Sequence, residues 1–591
     1  MRKEEDRTSM RARDLLVLIM NNLNHAPRAT PHAVRFWLAV FLAGHPAWKS
    51  AGEAATGQSG IVATVQPLAS EAAVHAFKIG GNAIDAAVAA ALTLGVVDGH
   101  NSGIGGGCFM LIRLANGSVL ALDGRETAPA AATRNLYLRD GKADTDLSQT
   151  GALAVGVPGS LAAYDYALTH HGKLPLKTLL LPATQIAGEG FRITRHYAGV
   201  LADTASELKQ FPAARAIFLR RDGSAFKSGD LLKQPDLANT YRSIAEKGLE
   251  WFYRGPFAQA TGDWMKANHG ILTAADFQNY QTKLREPVRT TYRGYEIIGF
   301  PPPSSGGVHV AQILNILENF DLKSMGANSA DFVHVVAEAM KLAFADRAYW
   351  LGDPDFVAVP RGLIAKEYAA KLARQIKLER TTPIQQHGTP ENAGQNVFGK
   401  HTTHFTTADA EGNWVACTAT INTSFGSKVV IPGTGVVLNN QMDDFSIQPG
   451  VSNFFGLIGA EANAVGPGKR PLSSMSPTIV LKDGQPIFSV GAAGGPTIIN
   501  QAVLAIIHHI DFGASVEAAL AQPRFHQQWR PDELKIEKRI GEPVMAELKK
   551  RGHKLTPVTS LGAAQAIAVD LKTHALVGAT DPRGEGKALG F

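Results

Sequence analysis

With 591 residues, 45% of them hydrophobic and 19% charged, and 59 glycines, the chain can fill a deep core and does not have the composition of a disordered or fibrous polymer. Its formal charge of +6 is concentrated at the start, where residues 1–50 hold eight Lys/Arg against four Asp/Glu, leaving +2 for everything after. No basic run interleaved with aromatics occurs beyond that point, which argues against nucleic acid as a partner.

The first element is "RFWLAVFLAG" (Arg35–Gly44), an apolar run behind a basic residue and ahead of the small-residue stretch "SAGEAATG". This is the layout of a secretory signal peptide, and it falls short of the roughly 20 apolar residues of a membrane span. A second apolar patch, Leu15–Met20, lies upstream and suggests a true start later than Met1. We therefore expect a leader over residues 1–57 and a periplasmic or secreted mature protein.

"SEAAVHAFKIGGNAIDAAVAAALTLGVVD" (Ser70–Asp98) predicts two helices parted by Gly80 and Gly81, with Ser70 and Asn82 as N-caps and a second helix so rich in alanine that it must be buried. "SGIGGG" (Ser102–Gly107) then leads into two apolar runs joined at Asn116-Gly117, a hairpin signature. A dinucleotide loop would follow a strand and open a helix, whereas this glycine run precedes a strand, so a Rossmann site is rejected. From about residue 150 to 375, helical stretches such as "ADFVHVVAEAMKLAFADRAYWL" alternate with turn clusters such as "GFPPPSSGG". "PPSSGG" lacks the strand-turn-helix setting of a nucleophile elbow and reads as a loop packed near the site. Cys108 and Cys417 supply neither a disulfide framework nor a CxxC zinc site, and read as small buried side chains.

Residues Thr381–Lys400 are polar and turn-rich, a connector. Behind them, "TTHFTTAD" and "NWVACTATIN" flank Glu411-Gly412 as a second hairpin. The pair Thr402-Thr403 thus sits where a tether becomes a strand. A mid-chain threonine has no base supplied beside it. At a chain start, its own α-amine, with a pKa of about 7.7 to 8.0, reaches its hydroxyl. Scission before Thr402 would create both groups at once; ordinary β-forming residues at a strand edge are the alternative that these few residues leave open.

The blocks that follow carry a resemblance. "TTHF", "INTSFGS", "LNNQMDDFS", "NAVGPGKRPLSSMSPTIV" and "GAAGGP" stand in the order and spacing of the γ-glutamyltranspeptidases, so that residues 58–591 resemble that family of self-cleaving N-terminal nucleophile hydrolases. The resemblance implies an α+β fold, a four-layer αββα sandwich with two stacked antiparallel sheets. It also implies a large subunit of residues 58–401 paired with a small catalytic subunit of residues 402–591. The activity implied is cleavage of glutathione and related γ-glutamyl amides through an ester on Thr402, with transfer to water or to amino acid or peptide amines and with no metal or organic cofactor.

A γ-glutamyl head group presents a carboxylate and an ammonium, so its pocket needs a cation and an acid. Arg125 in "DGRETAP" and Asp444 in "QMDDF" match the family's residues for those two tasks. Asn422, Gln441, Ser473 and Ser474 match its further hydrogen-bonding residues around the head group. Gly494 and Gly495 match the pair whose N–H groups face the oxyanion, and Thr420 matches the threonine that orients the nucleophile. One position departs: many bacterial members carry a lid tyrosine where this chain has Phe455, which keeps an aromatic wall and lacks the hydroxyl. Two rival readings remain, a cephalosporin or glutaryl acylase on the same scaffold and an unprocessed γ-glutamyl-binding protein.

Overall fold

A computed structural model describes residues 52–391 and 405–591. The leader with its apolar run, and His401, Thr402 and Thr403, lie outside the described residues.

Two seven-stranded sheets, antiparallel throughout, stack face to face. One runs in the order Ala55–Gly57, Leu576–Thr580, Ala563–Val569, Gln485–Ala493, Thr478–Lys482, Tyr295–Gly299, Val288–Tyr292. The other runs Lys587–Gly590, Gly60–Thr64, Phe405–Asp409, Trp414–Thr420, Gly107–Arg113, Val119–Gly124, Lys283–Arg285. Both expected hairpins are present, at Asn116-Gly117 and at Glu411-Gly412.

Alternation along the strands explains the layering. In Gly107–Arg113, Phe109 and Leu111 enter the core shared with the first sheet, while Cys108, Met110 and Ile112 pack with the helices on the other face. Those helices include Pro67–Lys78, Ala83–Val97, Ser160–His171, Leu176–Glu189 and Pro235–Lys247. Gly306–Leu317, Ala330–Trp350 and Thr497–Ile510 cover the outer face of the first sheet, completing an αββα sandwich. Both cysteines are buried on the helix-facing side.

The alanine-rich helix Ala83–Val97 is buried along its whole length, and Asn82 caps it in a capping box with Asp85. The other cap differs from expectation: the first helix begins at Pro67 with Gln66 as its N-cap. Ser70 lies inside the helix, where its hydroxyl donates to the carbonyl of Lys587 at 2.7 Å. Proline at the first helical position, a stronger start signal than a serine three residues on, decides the boundary. The first sheet also reaches into residues expected to belong to the leader, since Ala55–Gly57 forms its edge strand.

Candidate active site

Thr420 ends the strand Trp414–Thr420, and its Oγ1 accepts the backbone N–H of Asn422 at 2.8 Å. Asn422 then adopts φ +81°, a left-handed conformation that asparagine tolerates better than most residues. Its Nδ2 donates to the carbonyl of Asn440 at 3.0 Å, which ties this turn to the segment "NNQMDDF". That segment makes one 3₁₀ turn, Gln441–Asp444, in which Gln441 Nε2 donates to Asp444 Oδ2 at 2.8 Å.

Arg125 follows the strand Val119–Gly124 and is fully buried. It donates through Nη2 to Asp444 Oδ2 at 2.6 Å and through Nε to the carbonyl of Pro471 at 3.0 Å. Nη1 lies 3.6 Å from Glu126 Oε2 but makes no hydrogen bond among the described residues, nor does either oxygen of Glu126. Burial pushes the Glu126 carboxyl up to about 7, against the pull of Arg125. The guanidinium therefore keeps donor capacity for a further acceptor at this buried position.

Ser473 and Ser474 enter from the segment before the strand Thr478–Lys482, stitched to the loop Pro302–Gly306. Ser473 N donates to the carbonyl of Pro303 at 2.7 Å, and the carbonyl of Ser473 accepts Ser305 N at 2.8 Å and Ser305 Oγ at 2.7 Å. The "PPSSGG" loop is thus packed beside the site, as its sequence suggested, but contrary to expectation it does join a strand, Tyr295–Gly299, to a helix, Gly306–Leu317, and its two serine hydroxyls donate to the carbonyls of Met475 and Ser473. Gly494 and Gly495 lie between the strand Gln485–Ala493 and the helix Thr497–Ile510, with φ +129° and +58°. A Cβ on Gly495 would come within 2.6 Å of the Phe455 ring, so glycine is required by the contact as well as by the backbone.

Thr420, Asn422, Gln441, Asp444, Ser473, Ser474, Gly494 and Gly495 all line one cavity of about 120 Å³, and Phe455 forms part of its wall. Arg125 reaches it through Asp444. Thr402 lies outside the described residues, three positions ahead of Phe405, where the strand Phe405–Asp409 begins. Among the described residues no group of three His, Cys, Asp or Glu side chains could hold a metal ion.

Three neighbours of the site were not singled out from the sequence. Arg347, on the helix Ala330–Trp350, donates through Nη2 to Ser474 Oγ at 3.0 Å and through Nε to Ser305 Oγ at 2.9 Å. Burial lowers its pKa to about 10, partly offset by Asp444. Asp443 accepts Ser148 Oγ at 2.7 Å and the N–H of Phe454 at 3.0 Å, and burial raises its carboxyl to about 6. Glu126, adjacent to Arg125, is the third. The only signal for Arg347 was a cation on an otherwise apolar helical face, which becomes meaningful once residues 127 positions apart meet.

The sequence profile described as gamma-glutamyltranspeptidase matches residues 69–591. The glutathione hydrolase proenzyme of Escherichia coli (strain K12) is 44% identical over 529 residues, covering 89% of this chain and 90% of that protein. The acylase ACY 1 proenzyme of Pseudomonas sp. (strain SE83) is 42% identical over 509 residues, covering 85% and 88%. Among solved structures, the cephalosporin acylase from Bacillus halodurans superposes with a TM-score of 0.82 at 30% identity, covering 93% of this chain and 99% of that one.

Proposed function

The chain belongs to the gamma-glutamyltranspeptidase family, and from that premise we propose that it is a self-processing γ-glutamyltransferase acting on glutathione and related γ-glutamyl amides. The observation that carries this reading is the ion pair between buried Arg125 and partly exposed Asp444, 2.6 Å apart, with Asp444 lining the same cavity as Thr420, Gly494 and Gly495. A cation and an acid side by side match the carboxylate and ammonium of a zwitterionic amino acid head.

In this reading the precursor divides into residues 58–401 and 402–591. Thr402 Oγ attacks the carbonyl of His401, the C–N bond breaks as the ester forms and frees the Thr402 amine, and water then hydrolyses the ester to the His401 carboxylate and the Thr402 hydroxyl. The freed amine then takes the proton from Thr402 Oγ as that oxygen attacks the γ-carbonyl of the donor. The proton passes to the departing amine, leaving a γ-glutamyl ester that water, or an amino acid or peptide amine, resolves. Thr420 orients the nucleophile, and the N–H groups of Gly494 and Gly495 hold the oxyanion, a task for which each donor is worth about 3 to 4 kcal/mol. Arg125 grips the donor's α-carboxylate and Asp444 its ammonium, with Asn422, Gln441, Ser473 and Ser474 completing the hydrogen bonds. The signal-peptide layout of the leader supports export to the periplasm or beyond.

The acylase relatives favour a second reading, hydrolysis of glutaryl amides. Asp444 separates the two, because a glutaryl group has no ammonium for it to bind. Release of p-nitroaniline from γ-glutamyl and glutaryl anilides is the test. We expect kcat/KM to favour the γ-glutamyl compound by about 10- to 100-fold, the range of a hydrogen bond to a charged group; preference for the glutaryl compound refutes the γ-glutamyl assignment. A binding protein that never cleaves itself would run as one full-length band on a denaturing gel.

A further inference from the structure

We propose that Arg347 is a positioning residue for the donor's α-carboxylate, fixing the hydroxyl of Ser474 as a hydrogen-bond donor into the pocket and adding positive charge behind it. The proposal rests on the γ-glutamyl reading of the same site.

Arg347 is buried, and among the described residues no carboxylate lies within ion-pair distance of it. The carboxylate that acts on it, Asp444, is already paired with Arg125; a buried cation that only shares a counter-ion is costly, so a fold that keeps one beside a substrate pocket points to an anion arriving there. The hydrogen-bond pattern specifies which groups it serves. A serine hydroxyl has one proton and two lone pairs, and arginine has donors only. Arg347 Nη2 occupies a lone pair of Ser474 Oγ at 3.0 Å and cannot accept the hydroxyl proton in return. That proton is left to point elsewhere, and Ser474 lines the cavity.

The second arm of the guanidinium repeats the device at one remove. Nε donates to Ser305 Oγ at 2.9 Å, which turns the Ser305 proton onto the carbonyl of Ser473 at 2.7 Å. One guanidinium thus holds both members of the serine pair, Ser474 through its side chain and Ser473 through its backbone. This also gives the "PPSSGG" loop a task, since Ser305 is the relay between Arg347 and the pocket.

The test uses the processed enzyme and three p-nitroanilides. The γ-glutamyl compound bears both carboxylate and amine, the glutaryl compound the carboxylate alone, and the 4-aminobutanoyl compound the amine alone. Arg347→Met is expected to raise KM for the two carboxylate-bearing compounds by about 10- to 100-fold with little change in kcat, the mark of lost ground-state binding. On the 4-aminobutanoyl compound kcat/KM should stay within about 3-fold of wild type. Ser474→Ala should show the same selectivity, and the double variant should be little worse than the worse single one, because both remove one interaction. Equal losses on all three compounds, or losses that multiply in the double variant, overturn the proposal in favour of a purely structural arginine. If Arg347→Met does not accumulate as folded protein, Arg347→Lys decides by the same criterion, with selective weakening in support and uniform loss against. The wild-type ranking of the compounds tests the γ-glutamyl reading; the variant-to-wild-type ratio on each tests Arg347.

Discussion

Gly495 shows how tightly single residues are specified at the cavity. Its φ of +58° and the 2.6 Å approach of a virtual Cβ to Phe455 exclude a side chain on two independent grounds. Gly495→Ala should leave the fold intact, since it changes one loop position, yet push Phe455 off the wall and shift the N–H proposed to hold the oxyanion. We expect kcat to fall by about 100-fold or more, the range seen for losing one such donor, with the melting temperature lowered by only a few degrees. Steady-state kinetics beside a thermal melt checks this, and unchanged kcat removes Gly495 from the oxyanion site. Residues of this kind are legible in the sequence when a local motif carries them: Arg125, Asp444 and the glycine pair each stand in a short distinctive block. Arg347 does not, because its meaning depends on Ser305 and Ser474, which come from separate elements.

At the scale of elements, the hairpin around Phe455 is held from beneath. The Asn453 side chain accepts the N–H groups of Phe455 and Leu457, each at 3.1 Å, while Asp443 accepts the N–H of Phe454 and the Ser148 hydroxyl. Asp443 joins the hairpin to the turn that bears Asp444. Burial raises its carboxyl from 3.8 to about 6, so the stability it lends is complete below pH 4 and is lost as pH rises through about 6. Asp443→Asn keeps an acceptor for Phe454 and does not titrate. Denaturant unfolding at about pH 4 and pH 7 should show wild type losing on the order of 2 kcal/mol relative to this variant across the interval. Parallel profiles would show that Asp443 does not titrate there. Element identity was largely legible: both hairpins follow Asn-Gly or Glu-Gly turns, and Asn82 announced its helix. The Ser70 cap was misplaced because Gln66 is an atypical cap and Pro67 set the first turn.

For the whole molecule, neither sheet belongs to one side of the expected cleavage point. Phe405–Asp409 lies between Gly60–Thr64 and Trp414–Thr420, and Thr478–Lys482 pairs with Tyr295–Gly299. The first and last of these pairings join residues far apart in the chain, so strand order could not be read from periodicity; the family resemblance supplied only the layered architecture. With both sheets shared, scission before Thr402 would free an amine and a hydroxyl without dismantling the sandwich. That freed terminus is the centre of the account, and N-terminal sequencing of the mature small fragment, alongside a Thr402→Ala protein, tests it most directly. The account predicts that the fragment begins Thr402-Thr403-His404-Phe405 and that Thr402→Ala stays a single inactive chain. A fully active wild-type enzyme with the 401–402 bond intact, or a Thr402→Ala chain that still splits there, would contradict it.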